Sequence, residues 1–317
     1  MRRNFIVCSI LASFMILIPL FSIKKQSAES PEDTEILKHT DSLISVMKSE
    51  NGSVEKIDER EYLIGTLAAE MDFSYHDEAL KAQTIACYTY SLYIRNNTDD
   101  DKYNGADITD DPSVHQGYLT REERKEKWGK EFEKNEKKAE KIVDAVLGQA
   151  IYYGDQPILA VYHDLNIGRT LSAMTVWKTD YPYLLSVESP GDKLSVEYIK
   201  EYEFLYNDFE SKITKIDGIS IKGKESEWIG KVNKDENGYV KSVEVCTNEV
   251  SSQDFRTALN LRSCCFDIKS DDEKISIETF GNGHCVGMSQ YGADYMARQG
   301  ADYREILTHY YSGTKII

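Results

Sequence analysis

The sequence predicts an α+β fold: a helical N-terminal part of the body packed with a largely antiparallel β region, preceded by one transmembrane helix. Three observations predict it. Helical apolar periodicity dominates residues 61–146, and an alternation of period two takes over after Gly148. An uncharged apolar run of 19 residues, "FIVCSILASFMILIPLFSI", occupies positions 5–23. That length matches a bilayer core of about 30 Å.

The run is long for a signal-peptide core, and no good small-x-small cleavage site follows it, so it reads as an uncleaved anchor, with a cleaved signal as the alternative. The expected organisation is an anchor at 1–25, a polar acidic stalk at 26–59 and a catalytic body at 60–317, single-pass, with the body on the extracytoplasmic side. The formal net charge of −16 argues against nucleic acid as a partner. Six cysteines without framework spacing exclude a disulfide scaffold.

Along the body, the first helix is expected over 61–71. Asp77 is a candidate cap for the next, "EALKAQTIACYTYSLYIRNN", whose stripe holds Lys81, Ile85, Tyr88 and Leu92. A turn-rich loop leads to a long charged helix over 121–146, its charges read as a solvated face. Beyond it, "AIYYG", "PILAVYHD", "YLLSVES", "ITKIDGISI", "KVNKDENGYVKSVEVC" and "KISIETFG" read as strands, with "DENGY" a hairpin turn. "SSQDFRTALN" is a short helix with Ser252 as its cap. Strand, glycine-rich turn and two helices end the chain.

One residue breaks the pattern. In "LIGTLAAEM", residues 63–71, a helix places Leu63, Leu67 and Glu70 on one face. A carboxyl on an apolar face is desolvated, which raises its pKa and suits it to general acid work near neutral pH. The competing reading is a buried ion pair of Glu70 with Lys81.

Other polar groups cluster on turns. "HDLNIGRT" places His163, Arg169 and Thr170 around a glycine after a strand, followed by Trp177, whose face suits a sugar ring. "GNGHCVGMSQYGA" sets His284, Ser289, Gln290 and Tyr291 among glycines. Gly281, Gly283 and Gly287 are candidates for backbone conformations closed to other residues. A dinucleotide fingerprint is excluded there, because the spacing is wrong and no ribose-binding acid follows.

Three segments, at 62–90, 160–192 and 281–313, together resemble the stage II sporulation protein D family of peptidoglycan lytic transglycosylases. The third, "GNGHCVGMSQYGADYMARQGADYREILTHYYSG", is the most specific. The resemblance implies cleavage of the β-1,4 bond between N-acetylmuramic acid and N-acetylglucosamine without water, leaving a 1,6-anhydro end. It implies glycan strands lacking stem peptides as substrate, stage II sporulation proteins M and P as partners in engulfment, membrane attachment through the N-terminal helix, and no cofactor. The family's catalytic glutamate maps to Glu70. Lys81, Tyr88, His163, Arg169, Thr170, Trp177, His284, Ser289, Gln290 and Tyr291 are then the expected substrate-binding residues.

The chain also departs from the family pattern. Tyr88 stands where an arginine is usual, Ile167 and Gly168 replace a glycine pair, and Cys285 replaces a glycine. Some members hold zinc in the loop after the second helix. Here only His115 remains of such a set, and no metal is expected. Cys87 and Cys285 could form a bridge or remain two separate thiols. The alternatives to a transglycosylase are a non-catalytic glycan-binding or scaffold protein of the same fold, and a thiol hydrolase using Cys87 or Cys285.

Overall fold

The computed structural model describes residues 42–98 and 102–317. The apolar run at 5–23 and the first part of the expected stalk lie outside them. Among the described residues, no helix is long and apolar enough to cross a membrane. The predicted fold class is corrected accordingly: the body is α+β with small mixed sheets, and a spanning helix is not part of the described architecture.

The body begins before residue 60. β1 (Leu43–Met47) and β2 (Val54–Asp58) form an antiparallel hairpin with Leu43 opposite Asp58. β3 (Ile108–Thr109) joins β1 in parallel, with Val46 opposite Ile108. The stalk expected over 26–59 therefore loses residues 43–58. Only Ile44 and Val46 alternate into the core, too short a pattern to stand out in a charged stretch.

Asp58 caps α1 (Glu59–Glu70), accepting the Glu61 amide hydrogen at 3.1 Å. His76, one residue before the expected Asp77, caps α2 (Asp77–Asn97) through its ring nitrogen. The single helix expected over 121–146 is two, α3 (Arg121–Trp128) and α4 (Phe132–Asp144). Gly129 separates them at φ +49°, a left-handed conformation that stops a helix at little cost for glycine alone. Thr120 and Glu123 form a reciprocal capping box at the start of α3.

The strand expected over "PILAVYHD" shrinks. After β4 (Ile151–Tyr153) come only β5 (Gln156–Pro157) and β6 (Tyr162–His163), then α5 (Ala173–Trp177). "YLLSVES" forms no strand, and the segment is tied back by the Thr170 amide donating to the Val187 carbonyl at 2.8 Å.

A second lobe follows: β7 (Ile199–Leu205), α6 (Tyr206–Ile213), β8 (Ile229–Lys234), β9 (Val240–Val245), β10 (Asn248–Ser251), α7 (Ser252–Leu259), β11 (Phe266–Ser270) and β12 (Lys274–Phe280). It has its own core around Phe209, Val243, Phe255 and Phe266. The hairpin at "DENGY" forms as expected, the Gly238 amide closing on the Asp235 carbonyl at 3.1 Å. "ITKIDGISI" is not a strand: its first residue ends α6, and its isoleucines pack on the lobe's core from irregular chain. Ser251 rather than Ser252 caps α7.

The chain then returns to the first lobe as β13 (Met288–Ser289), α8 (Gln290–Arg298), α9 (Tyr303–Tyr310) and β14 (Lys315–Ile316). β13 lies parallel to β6, with Met288 opposite Tyr162 and Ser289 opposite His163. This pairing joins segments more than 120 residues apart. Leu67, Ile85, Met288 and Tyr310 share the larger core, so α1, α2, α8 and α9 pack around one apolar centre.

The solvated-face reading of 121–146 fails at Arg124. This side chain is fully buried, with Nε and Nη2 on both Glu136 oxygens at 2.9 and 2.7 Å and Nη1 on Glu61 at 2.9 Å. It ties α3 to both α1 and α4. Arg124→Met leaves the buried Glu136 with only the longer contact to Arg121 at 3.7 Å, and we expect a loss of about 3–5 kcal/mol in urea unfolding. A loss below about 1 kcal/mol would show that the cluster contributes little to the fold.

Candidate active site

Glu70 is the last residue of α1, and its side chain lines a cleft of ≈540 Å³. The other walls come from residues 112–116, from Tyr90 on α2, from Val161 and Tyr162 around β6, from Trp177 on α5 and from His284. Segments from all three motifs therefore meet at one carboxyl group. Glu70 is the only carboxylate among the described residues lining this cleft.

The Glu70 carboxyl is held from two sides. Its Oε1 accepts the Gly117 amide hydrogen, and the Tyr162 hydroxyl hydrogen bonds to it. Gly117 approaches so closely that a Cβ there would lie 3.0 Å from Ala69 and 3.2 Å from Glu70 Oε1. Burial pushes the Glu70 pKa above the usual carboxylate range; the Gly117 and Tyr162 hydrogen bonds and the nearby Lys127 charge pull it partly back. The carbonyl-rich C-terminus of α1 acts in the same sense as burial.

Behind Tyr162 the polar groups are satisfied. Its hydroxyl lies 3.3 Å from Gln116 Oε1 and 3.6 Å from Cys87 Sγ. Gln116 in turn donates to the Tyr62 hydroxyl at 2.8 Å and to the Cys87 carbonyl at 3.1 Å. The ion pair of Glu70 with Lys81 does not form. Lys81 binds Glu78 at 2.7 Å and lies 5.8 Å from the Tyr303 ring centre.

Of the expected residues, Trp177 and His284 line the cleft with Glu70, their ring centres 5.2 Å apart. His284 Nδ1 accepts the Val286 amide hydrogen at 3.1 Å, which leaves the ring proton on Nε2, directed at the Tyr162 carbonyl. Burial lowers its pKa to about 4, so at neutral pH it is an uncharged donor. His163 stands behind it, ring centres 5.6 Å apart, with Nδ1 on the Val286 carbonyl at 3.0 Å. Burial, reinforced by His284, lowers the His163 pKa to about 3.

Gln290 acts on the site from beneath. Its amide donates to the backbone carbonyl of Glu70 at 3.0 Å and to Gln83 at 3.3 Å, so the third motif fixes the end of α1.

The remaining expected residues serve the scaffold and do not line the cleft. Besides Lys81, Tyr88 has its hydroxyl beside Glu59. Arg169 pairs with Glu188 at 3.2 Å and reaches Asn237 on the second lobe at 3.3 Å. Thr170 is fully buried and accepts the Val187 amide hydrogen. Ser289 caps α8 and donates to the buried Asp192 at 2.5 Å. Tyr291 donates its backbone amide hydrogen to the Asp164 carbonyl.

Cys87 and Cys285 are buried and unbridged. Burial pushes the Cys87 thiol up to about 12, far from a nucleophilic thiolate. Neither sulfur lines the cleft.

Sequence reasoning passed over Tyr162, Gln116 and Gly117. Tyr162 lay inside a quoted motif beside His163, which was the available signal. Gln116 and Gly117 sit in a polar loop with no periodicity to mark them.

Replacing Tyr162 by Phe removes a bond to the ionised form of Glu70 and raises its pKa further. Carbon-13 NMR titration of the glutamate carboxyl should record an upward shift. An unchanged midpoint would show that the hydroxyl has no bearing on the acid.

Comparison with known proteins supplies the family. Residues 47–153 match the family described as stage II sporulation protein (SpoIID). Stage II sporulation protein D of Bacillus subtilis (strain 168) is 32% identical over all of this chain and 96% of its own length. Its counterpart in Bacillus amyloliquefaciens is 34% identical over 88% of this chain and 80% of its own length. A protein named amidase enhancer, also from Bacillus subtilis (strain 168), is 27% identical over 80% of this chain and 40% of its own length. With alignments running the full length of the body and through every segment that meets at Glu70, the chain belongs to the stage II sporulation protein D family.

Proposed function

We propose that the protein is a peptidoglycan lytic transglycosylase that cuts between N-acetylmuramic acid and N-acetylglucosamine with Glu70 as its acid. The observation that carries this reading is a protonatable carboxyl, Glu70, in a cleft that has no second carboxylate among its described lining residues. Glycosidases that use water or a covalent intermediate need two carboxyl groups at set separations. A transglycosylase needs one. Glu70 protonates the leaving glycosidic oxygen, and its carboxylate then takes the proton from the sugar's own C6 hydroxyl as that oxygen attacks the anomeric carbon. The intramolecular hydroxyl replaces both the water and the second carboxylate.

The surroundings fit these roles. The Gly117 amide holds one carboxyl oxygen, fixing the direction of proton delivery. The rings of Tyr90, Tyr162 and Trp177 offer faces for pyranose rings, with the neutral ring of His284 packed beside Trp177. The family assignment supports a role in wall remodelling during sporulation. Glycan strands stripped of stem peptides are the substrate, the extracytoplasmic side is where the body meets them, and stage II sporulation proteins M and P are its partners there.

A second reading is favoured by the similarity to the amidase enhancer: the protein binds glycan and stimulates another wall enzyme without cutting.

Glu70→Gln separates the two. We expect it to lower kcat by at least about 10²-fold, with anhydro-muramyl ends in mass spectra of glycan treated with wild type only. Reducing ends would mean hydrolysis, and no cleavage by wild type would leave the binding role. Because the acid works protonated, activity should hold below the raised Glu70 pKa and fall as pH rises through it. An alkaline limb at the ordinary glutamate pKa of about 4.3 would contradict a desolvated acid.

A further inference from the structure

The glycine-rich turn at 281–287 contains one residue that its backbone does not favour. Cys285 sits at φ +63° and is the only non-glycine of that turn in the left-handed region. Glycine takes such a conformation freely, whereas a residue with a Cβ is strained there. The side chain at 285 is held at a backbone cost.

Its sulfur meets a second thiol. Ser263 and Gly283 form a parallel bridge, the Gly283 amide donating to the Arg262 carbonyl at 2.8 Å. Two residues further along each chain stand Cys265 and Cys285, and the Cys285 thiol hydrogen bonds to the Cys265 sulfur. Both side chains are buried in the larger core. Their backbones are tied down as well. The Cys265 carbonyl accepts the Phe280 amide hydrogen at 2.8 Å, and the Cys285 carbonyl accepts that of Leu171 at 2.7 Å. Contact with Cys265, ahead of burial, holds the Cys285 thiol well above the ordinary thiol range.

The other thiols of the described residues have partners elsewhere. Cys264 Sγ lies 3.6 Å from the Ser252 carbonyl at the start of α7. Cys87 accepts from the Gln83 amide at 3.2 Å, and Cys246 donates to the Lys222 carbonyl at 3.4 Å.

We propose that Cys265 and Cys285 are a disulfide site, which a disulfide oxidant converts into a clasp between the second lobe and the His284 wall of the cleft. One cysteine thiolate attacks the oxidant's disulfide and expels one of its sulfurs. The other cysteine then displaces the second. One disulfide and two thiols go in, one disulfide and two thiols come out, and two electrons pass from the cysteine pair to the oxidant. Because both sulfurs are buried, exchange takes place while the chain folds or opens locally. Cys285 lies between His284, which lines the cleft, and Val286, whose carbonyl holds the His163 ring. The bond therefore anchors that wall. It closes a loop of about 20 residues and removes conformations from the unfolded chain. The clasp is independent of the catalytic reading, since neither sulfur lines the cleft.

The test refolds the full chain from urea in oxidised glutathione, with dithiothreitol as the reduced control. Free thiols are then alkylated and tryptic peptides mapped by mass spectrometry. The oxidised chain should yield residues 263–269 joined to 275–298, with fragmentation placing the bond at Cys265 and Cys285. Its Tm should exceed that of the reduced chain by about 5 °C. Cys285→Gly suits the backbone and keeps the fold, yet should lose both the linked peptide and the rise in Tm. Cys264→Ser should keep both. The proposal is overturned if both cysteines stay reduced in oxidised glutathione, or if either links to another cysteine. It is equally overturned if the bond forms without raising Tm, or if the rise persists in Cys285→Gly.

Discussion

The hydrogen bond from the Gly117 amide to Glu70 is the contact on which the rest of the site depends. Burial at the end of a helix opposes a charge on that carboxyl, and the amide partly offsets this by favouring the ionised form while fixing where the group points. Without the bond, a side chain at the last turn of α1 would be free to rotate toward solvent. With it, the carboxyl is held where two cavities meet.

Long-range packing delivers each partner of that contact. Gly117 comes from the loop before α3, Tyr162 from β6 and Gln290 from the first turn of α8. The parallel pairing of β6 with β13 is what brings the last two together. It in turn requires the glycine-rich segment to lie flat on the chain around Val161. A Cβ at Gly287 would sit 2.1 Å from the Val161 carbonyl oxygen, and one at Gly283 would sit 2.8 Å from the His163 Cβ, with φ +71° and +105°. Only glycine meets both demands. The expectation of unusual backbone at Gly281, Gly283 and Gly287 is met at all three.

The second lobe contributes support rather than cleft walls. It has its own core, while its Tyr239, Cys264 and Cys265 join the larger one, and polar contacts also tie it to the motif segments, among them Arg169 on Asn237 and the Gly283 amide on the Arg262 carbonyl at 2.8 Å. Several residues expected at the substrate share this supporting role. Ser289 and Thr170 are polar because buried backbone near them needs partners. A motif that exists to satisfy hydrogen bonds looks, in sequence, like one that exists to bind a sugar.

What the sequence determined by itself was local. α1, α2, α7, the "DENGY" hairpin, β12 and the two last helices were legible because apolar period and turn residues are short-range signals. Glu70 was legible because a carboxyl on an apolar stripe is an anomaly within nine residues. The hairpin at 43–58 and the buried Arg124 were hidden by charge, and the break at Gly129 by the helical pattern on both of its sides. Only the tertiary structure decided the mixed sheets, the parallel β6–β13 pair, and the meeting of Gly117, Tyr162 and Gln290 at Glu70. Those contacts join residues 47 to 220 positions apart, and no periodicity along a chain encodes which distant backbone will supply the missing hydrogen bond.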